Sequence, residues 1–235
     1  MKEYLSVRGI EFESINVLDD DAGMATLREL GARSVPVVSQ GAKYVFAQVL
    51  QDVVDFLGLD DNTGPTLSPA ALAERYQHVL TTAVRLTRQM PNDQLSNELP
   101  NRPRSWRVLM HHVFQIPNAF MDARDNGTVL QYTDMVAPPP DDMLTVEHIA
   151  EFGESIRQRF EAWWARSADD DFSARVEVYF GETSLHDFFE RTVWHSTQHV
   201  RQVASLLERA GVEPDSPLTS ADIEGLPLTE KIWDE

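Results

Sequence analysis

The chain has 235 residues, 42% of them hydrophobic, no cysteine, and a formal net charge of −18 at neutral pH. This length allows either one large core or two smaller ones, and the lack of cysteine excludes disulfides, thiolate metal ligands and a cysteine nucleophile. The acidic balance repels phosphate backbones and anionic lipid headgroups, and neither a membrane-spanning apolar run nor a leader pattern is present. A cytoplasmic protein without nucleic-acid or membrane partners is therefore expected.

Residues 2–9 (KEYLSVRG) read as the end of a helix closed by Gly9, and 11–17 (EFESINV) alternates like a strand. A short amphipathic helix over 22–31 stops at Gly31. SVPVV (34–38), a turn at SQGAK, and YVFA (44–47) read as a hairpin, and 49–59 closes a small α/β unit with Val53, Val54 and Leu57 on one helix face. The polar, aperiodic stretch 60–68, which carries Gly64 and Pro65, marks a domain boundary.

Beyond it the period becomes helical. Leu72, Tyr76, Val79, Ala83, Leu86 and Met90 form one apolar stripe; Trp106, Leu109, Val113, Ile116 and Phe120 form a second. Val146, Ile149, Gly153, Ile156, Phe160 and Trp163 form a third, and Leu185, Phe189, Thr192, Val203, Leu206 and Ala210 a fourth that Gly211 ends. Four long helices over 69–211 predict a bundle, with a connection at 126–144 long enough to cross it and an extended insertion at 174–183. Pro117 lacks an N–H for the carbonyl of Val113, so a kink is expected in the second helix. The tail 212–235 is expected to pack as irregular chain through Leu226 and Trp233.

Helical phase sorts the seven histidines. His195 and His199 are four apart, on one face of the fourth helix, and that face carries the core stripe. His112, three residues after Leu109 and four before Ile116, also points inward, whereas His111 falls on the side of Arg104 and Arg107 and is expected to face solvent or a domain contact. His78, His148 and His186 read as surface residues. Three inward imidazoles on two helices can meet at one ion and leave positions free for a reactant. Buried histidines are also commonly satisfied by hydrogen bonds alone, so on phase the two readings stand side by side. Glu190 and Gln202, about a turn from the ligands, are candidate outer-sphere partners.

The stretch G-E-T-S-L-H-D-F-F-E-R-T-V-W-H-S-T-Q-H-V-R-Q (181–202) resembles the last helix of the DinB-like bundle family, and S-W-R-V-L-M-H-H-V (105–113) resembles its second helix. The resemblance covers about residues 69–211, selects His112 over His111, and implies one divalent metal held by His112, His195 and His199. It also implies metal-assisted chemistry on a small thiol. Residues 2–59 resemble glutaredoxins, with S-V-P-V-V in the place of their cis-proline strand. That resemblance implies a cis Pro36 and contact of Val35 and Pro36 with a peptide-like thiol such as glutathione. The first strand and cysteine turn of that fold are absent, so no redox catalysis follows from these residues. The missing strand is expected from upstream of Met1, from another segment, or from a second subunit.

The expected architecture is thus α+β in two domains, a truncated thioredoxin/glutaredoxin-like segment (1–59) followed by an all-α DinB-like four-helix bundle. The expected function is a metal-dependent enzyme, with zinc or nickel, or else iron or manganese, that transfers a small thiol to an electrophile. The alternatives are hydrolysis by metal-bound hydroxide, and a non-catalytic metal-binding stress protein whose N-terminal piece forms a homodimer surface.

Overall fold

The computed structural model describes the chain apart from residues 3–4, 6–7, 18–19, 62, 100–101 and 234–235. It is a mixed α/β structure with two compact units, Met1–Gly64 and Pro65–Glu235, the division falling within the polar stretch 60–68. Among the described residues there are three sheets, each an antiparallel pair of strands.

The N-terminal unit contains α1 (Asp21–Glu29), β1 (Val37–Gln40), β2 (Lys43–Phe46) and α2 (Leu50–Leu57). Asp20 caps α1 by accepting from the N–H groups of Ala22 and Gly23, both at 2.9 Å, which satisfies two donors that the helix leaves open. The hairpin pairs Gln40 with Lys43, so two residues turn the chain, and Gly41 supplies the positive φ (62°) that such a turn requires. Val53 and Val54 on α2 are fully buried and anchor the unit's core. The helix end expected at 2–9 falls partly outside the described residues; Gly9 has φ 66°, and the Ile10 N–H donates to the Leu5 carbonyl at 3.0 Å, a helix-closing pattern.

Residues 11–16 correct one expectation. They form no strand, and Phe12 and Ile15 stay 41% and 44% exposed. Alternation supplies a strand's side-chain pattern but not the neighbour whose backbone must pair with it. No described segment of the chain joins β1 or β2 as a third strand.

The C-terminal unit holds α3 (Pro69–Gln89), β3 (Glu98–Leu99), β4 (Arg102–Ser105), α4 (Trp106–Asn126), α5 (Tyr132–Met135), α6 (Val146–Ser167), β5 (Arg175–Val178), β6 (Gly181–Ser184), α7 (Leu185–Arg209) and α8 (Ser220–Ile223). Each of the four long helices begins at a side-chain cap: Ser68, Ser105, Thr145 and Ser184 accept from the N–H groups of Ala71, Val108, His148 and Asp187. Such caps contribute about 1 kcal/mol each. Helices α3 and α4 both pack against α6 and α7.

Helix α4 lies antiparallel to α7, because Phe120 meets Phe188 and Phe189 while His112 meets His195 and His199. This order puts an aromatic core of Phe120, Phe160, Trp163 and Phe189 toward one end, with ring centroids 5.1–6.2 Å apart, and the histidines toward the other. Fully burying one such ring stabilises by roughly 1.5–3 kcal/mol, so the aromatic end is the rigid base on which the histidine end is built.

The expected extended insertion at 174–183 is the hairpin of β5 and β6. Its turn clasps the long connection after α4: Leu130 bridges Val178, and the Tyr179 N–H donates to the Leu130 carbonyl at 3.0 Å. Among the described residues the tail is irregular apart from the four residues of α8, with Leu226 buried and Trp233 donating to Ser205 Oγ at 3.1 Å. Among the described residues no helix is long and apolar enough to cross a membrane.

Candidate metal centre

Positions 195 and 199 differ by one helical turn, so on α7 their rings stack on the same face, 4.9 Å apart between centroids. His112 on α4 faces both, at 5.4 Å from His195 and 5.0 Å from His199. One ring nitrogen from each lies within 4.8 Å of the other two. Around a zinc ion, with metal–nitrogen bonds of about 2 Å, such atoms lie about 3–4 Å apart, a separation reached by small side-chain rotations. His112 and His199 are buried and His195 is partly buried.

Burial, followed by the charges of His199 and Arg104, holds His112 well below the usual imidazole pKa; burial, then His199 and Arg191, does the same for His195. Both rings are therefore neutral near pH 7, the form that binds a metal. One ring nitrogen of His112 bonds the backbone carbonyl of Met135, and Nδ1 of His199 bonds Gln202 Oε1 at 2.7 Å. Each of these rings is thus oriented by a hydrogen bond at one nitrogen, the arrangement by which metal-ligating imidazoles are held in place. Nδ1 of His195 is buried with no hydrogen-bond partner, a state that costs about 1–3 kcal/mol. Three imidazole donors, two of them supported by a carbonyl and a carboxamide, fit one divalent cation.

No family model matches the chain, and no curated protein matches it.

Gln202 lies where an outer-sphere partner was expected. Glu190 does not: it is 8% exposed, and among the described residues it has no hydrogen bond to any of the three histidines. It precedes His195 by five positions, about 140° around a helix, so it faces another side of α7. Burial, and secondarily the charge of Asp187, raises its pKa to about 7.

His111 also departs from expectation. It is 3% exposed rather than open to solvent, and its ring stacks on Phe152 of α6 at 5.0 Å and 15°. Burial, then the charge of Arg107, lowers its pKa to about 4. The cause is that α4 is covered by α6 on one side and α7 on the other, so a flank of its stripe is also interior. His78 and His148 are exposed, and His186 is half-buried with Nε2 against the Leu67 carbonyl at 2.8 Å. In the N-terminal unit, Val35 is exposed and joined to Pro36 by a cis peptide, and its carbonyl accepts from Gln48 Nε2 at 3.1 Å.

Sequence reasoning missed Arg191, whose side chain is among the most buried cations of the chain at 4% exposure. Its guanidinium donates to Tyr179 Oη at 2.8 Å and to Met135 Sδ at 3.7 Å, and lies 5.2 Å over the Phe180 ring. The signal was available, since Arg191 precedes His195 by one turn of the same face. Met135 serves the site twice, through its carbonyl on His112 and its sulfur on Arg191, and no local pattern marks it.

Proposed function

We propose that His112, His195 and His199 hold one divalent metal ion and that the chain is a metal-dependent enzyme acting through a small thiol, in the manner of DinB-like bundle proteins. The observation that carries this reading is the convergence of three imidazole donors within 4.8 Å on two antiparallel helices. Support comes from the histidine spacing on the second and fourth long helices, which resembles that family, and from the absence of cysteine, which makes any reactive thiol an external one. A bound divalent ion supplies Lewis acidity, lowering the pKa of a coordinated thiol or water. Arg191 and Arg104 place positive charge near His195, which favours an anionic ligand such as a thiolate despite the chain's net charge of −18. Zinc and nickel both suit three imidazoles, and iron and manganese extend the set.

In this reading the N-terminal unit is a truncated glutaredoxin-like fold whose Val35 and Pro36 meet a peptide-like thiol, the partner is a small electrophile, and the compartment is the cytoplasm. Elemental analysis of untagged protein tests the metal: one equivalent per chain is expected. A cobalt-loaded sample titrated with glutathione and other small thiols tests the substrate class, with a change in the metal's absorption expected. Silence across the panel favours hydrolysis by metal-bound hydroxide or a non-catalytic metal-binding role, and absence of metal removes all three.

A further inference from the structure

Gln202 makes two bonds of opposite sense. Its Nε2 donates to the carbonyl of Ile232 at 3.0 Å, and its Oε1 meets Nδ1 of His199 at 2.7 Å. Gln198, one turn earlier, donates from Nε2 to the same Ile232 carbonyl at 2.7 Å. A carbonyl can only accept, so the tail fixes which end of the Gln202 carboxamide turns toward the histidine. That end is the oxygen. An oxygen facing Nδ1 makes Nδ1 the protonated nitrogen of His199 and puts its lone pair on Nε2.

The segment bearing this carbonyl is itself docked at several points on α7. Arg201 donates to the carbonyls of Thr229 (2.8 Å) and Glu230 (2.9 Å) and to Oε1 of Gln198 (2.8 Å). Trp233 Nε1 donates to Ser205 Oγ at 3.1 Å, and the Arg209 guanidinium lies 5.1 Å over the Trp233 ring.

We propose that the segment Thr229–Trp233 is a clamp that, through the Ile232 carbonyl and Gln202, sets the metal-binding tautomer of His199, so that metal affinity depends on the docked tail. This rests on the metal reading above. Gln202 and Ile232 are positioning residues, for neither is required to touch the ion. With the clamp released, the Gln202 carboxamide is free to turn its NH2 toward the ring, which stabilises the tautomer with the lone pair on Nδ1, facing away from the ion.

The test uses the full chain and measures the dissociation constant for Co2+ and the visible absorption of the cobalt-loaded protein. Arg201→Ala combined with Trp233→Ala, which undocks the tail without touching a ligand, is expected to weaken binding about 10-fold or more, the range found for outer-sphere partners. Gln202→Glu presents an acceptor to Nδ1 at either end of its carboxylate and does not need the tail to orient it. In that background the tail substitutions are expected to leave the affinity unchanged from that of Gln202→Glu alone, because no carboxamide remains for the tail to orient. If circular dichroism shows the double variant unfolded, Trp233→Ala alone carries the same comparison. An undocked tail that leaves affinity and spectrum unchanged overturns the clamp, as does an equal loss in the Gln202→Glu background. Parent protein that binds no cobalt overturns the metal reading and the clamp together, whereas tight but tail-independent binding overturns the clamp alone.

Discussion

The hydroxyl of Ser196 donates to the carbonyl of Val113 at 3.1 Å, filling on α4 the place of the N–H that Pro117 lacks. Tyr76 Oη lies 2.8 Å from Ser196 Oγ, and because the single proton of Ser196 is committed to a carbonyl, Tyr76 is the donor. Three helices are thereby joined through buried polar atoms next in sequence to His112 and His195. Helix α4 continues through Pro117 to Asn126, with its missing ladder bond replaced from α7.

Ser196→Ala therefore strands two buried groups, the Val113 carbonyl and the Tyr76 hydroxyl. The expected loss is about 2–3 kcal/mol, since each unsatisfied group costs roughly 1–3 kcal/mol. Restoring an N–H with Pro117→Ala should return a partner to Val113 and shrink the cost of removing the serine. Urea denaturation of the two single variants and the pair measures this coupling, and strictly additive losses would disprove it.

Replacing His112, His195 or His199 by Ala is expected to abolish stoichiometric metal, whereas His78→Ala, His148→Ala and His186→Ala should retain one equivalent. His111→Ala should separate the two roles of the adjacent pair: metal is kept, while loss of the Phe152 stack lowers stability by about 1–2 kcal/mol. Metal content and melting temperature, measured on the same preparations, decide it. Metal lost from the His111 variant but kept by the His112 variant would exchange their assignments.

Much of the C-terminal unit was legible because its signals are local: apolar periodicity, the glycine at 211 that ends the last long helix, and the four-residue step from His195 to His199. Phase was a weaker guide where a helix is covered on two sides, and for that reason His111 was read as outward. What required distant partners was not legible. Residues 11–16 have a strand's alternation and no strand beside them, and the bridge from Leu130 to Val178 joins segments far apart in sequence. The carbonyl of Ile232 behind Gln202 carries no side-chain identity at all, so no sequence pattern could announce it.

Gly153 on α6 lies against the ring of Phe114, and a Cβ placed there would approach its Cζ to 2.5 Å. Gly153→Ala would gain up to about 1 kcal/mol of helix propensity, but Phe114 is fully buried and has no room to withdraw, and overpacking of this kind costs about 1–3 kcal/mol. The steric term should win, giving a net loss of about 1 kcal/mol. Gly153→Ala combined with Phe114→Leu tests the assignment, because removing the ring tip should make the alanine neutral or stabilising relative to Phe114→Leu alone.

Two kinds of buried group give the chain opposite responses to pH. His111, with a folded pKa of about 4, stays neutral where the unfolded chain protonates, so its contribution is complete above about pH 6.5 and is lost as pH falls toward 4. Glu190 has the reverse sign. Its folded pKa of about 7 means that the native state holds a proton that the unfolded chain has released, so stability falls as pH rises from about 4.5 to 7 and stays reduced above that. A shift of that size corresponds to a penalty on the order of 3 kcal/mol at alkaline pH. Glu190→Gln keeps the shape of the protonated acid and removes the charge. It should match the parent at pH 4.5 and exceed it at pH 8 by a margin of that order, in guanidinium denaturation at both values. Equal stability of the two proteins at pH 8 would mean that the Glu190 carboxylate ionises at no cost, and burial would not then be what governs it.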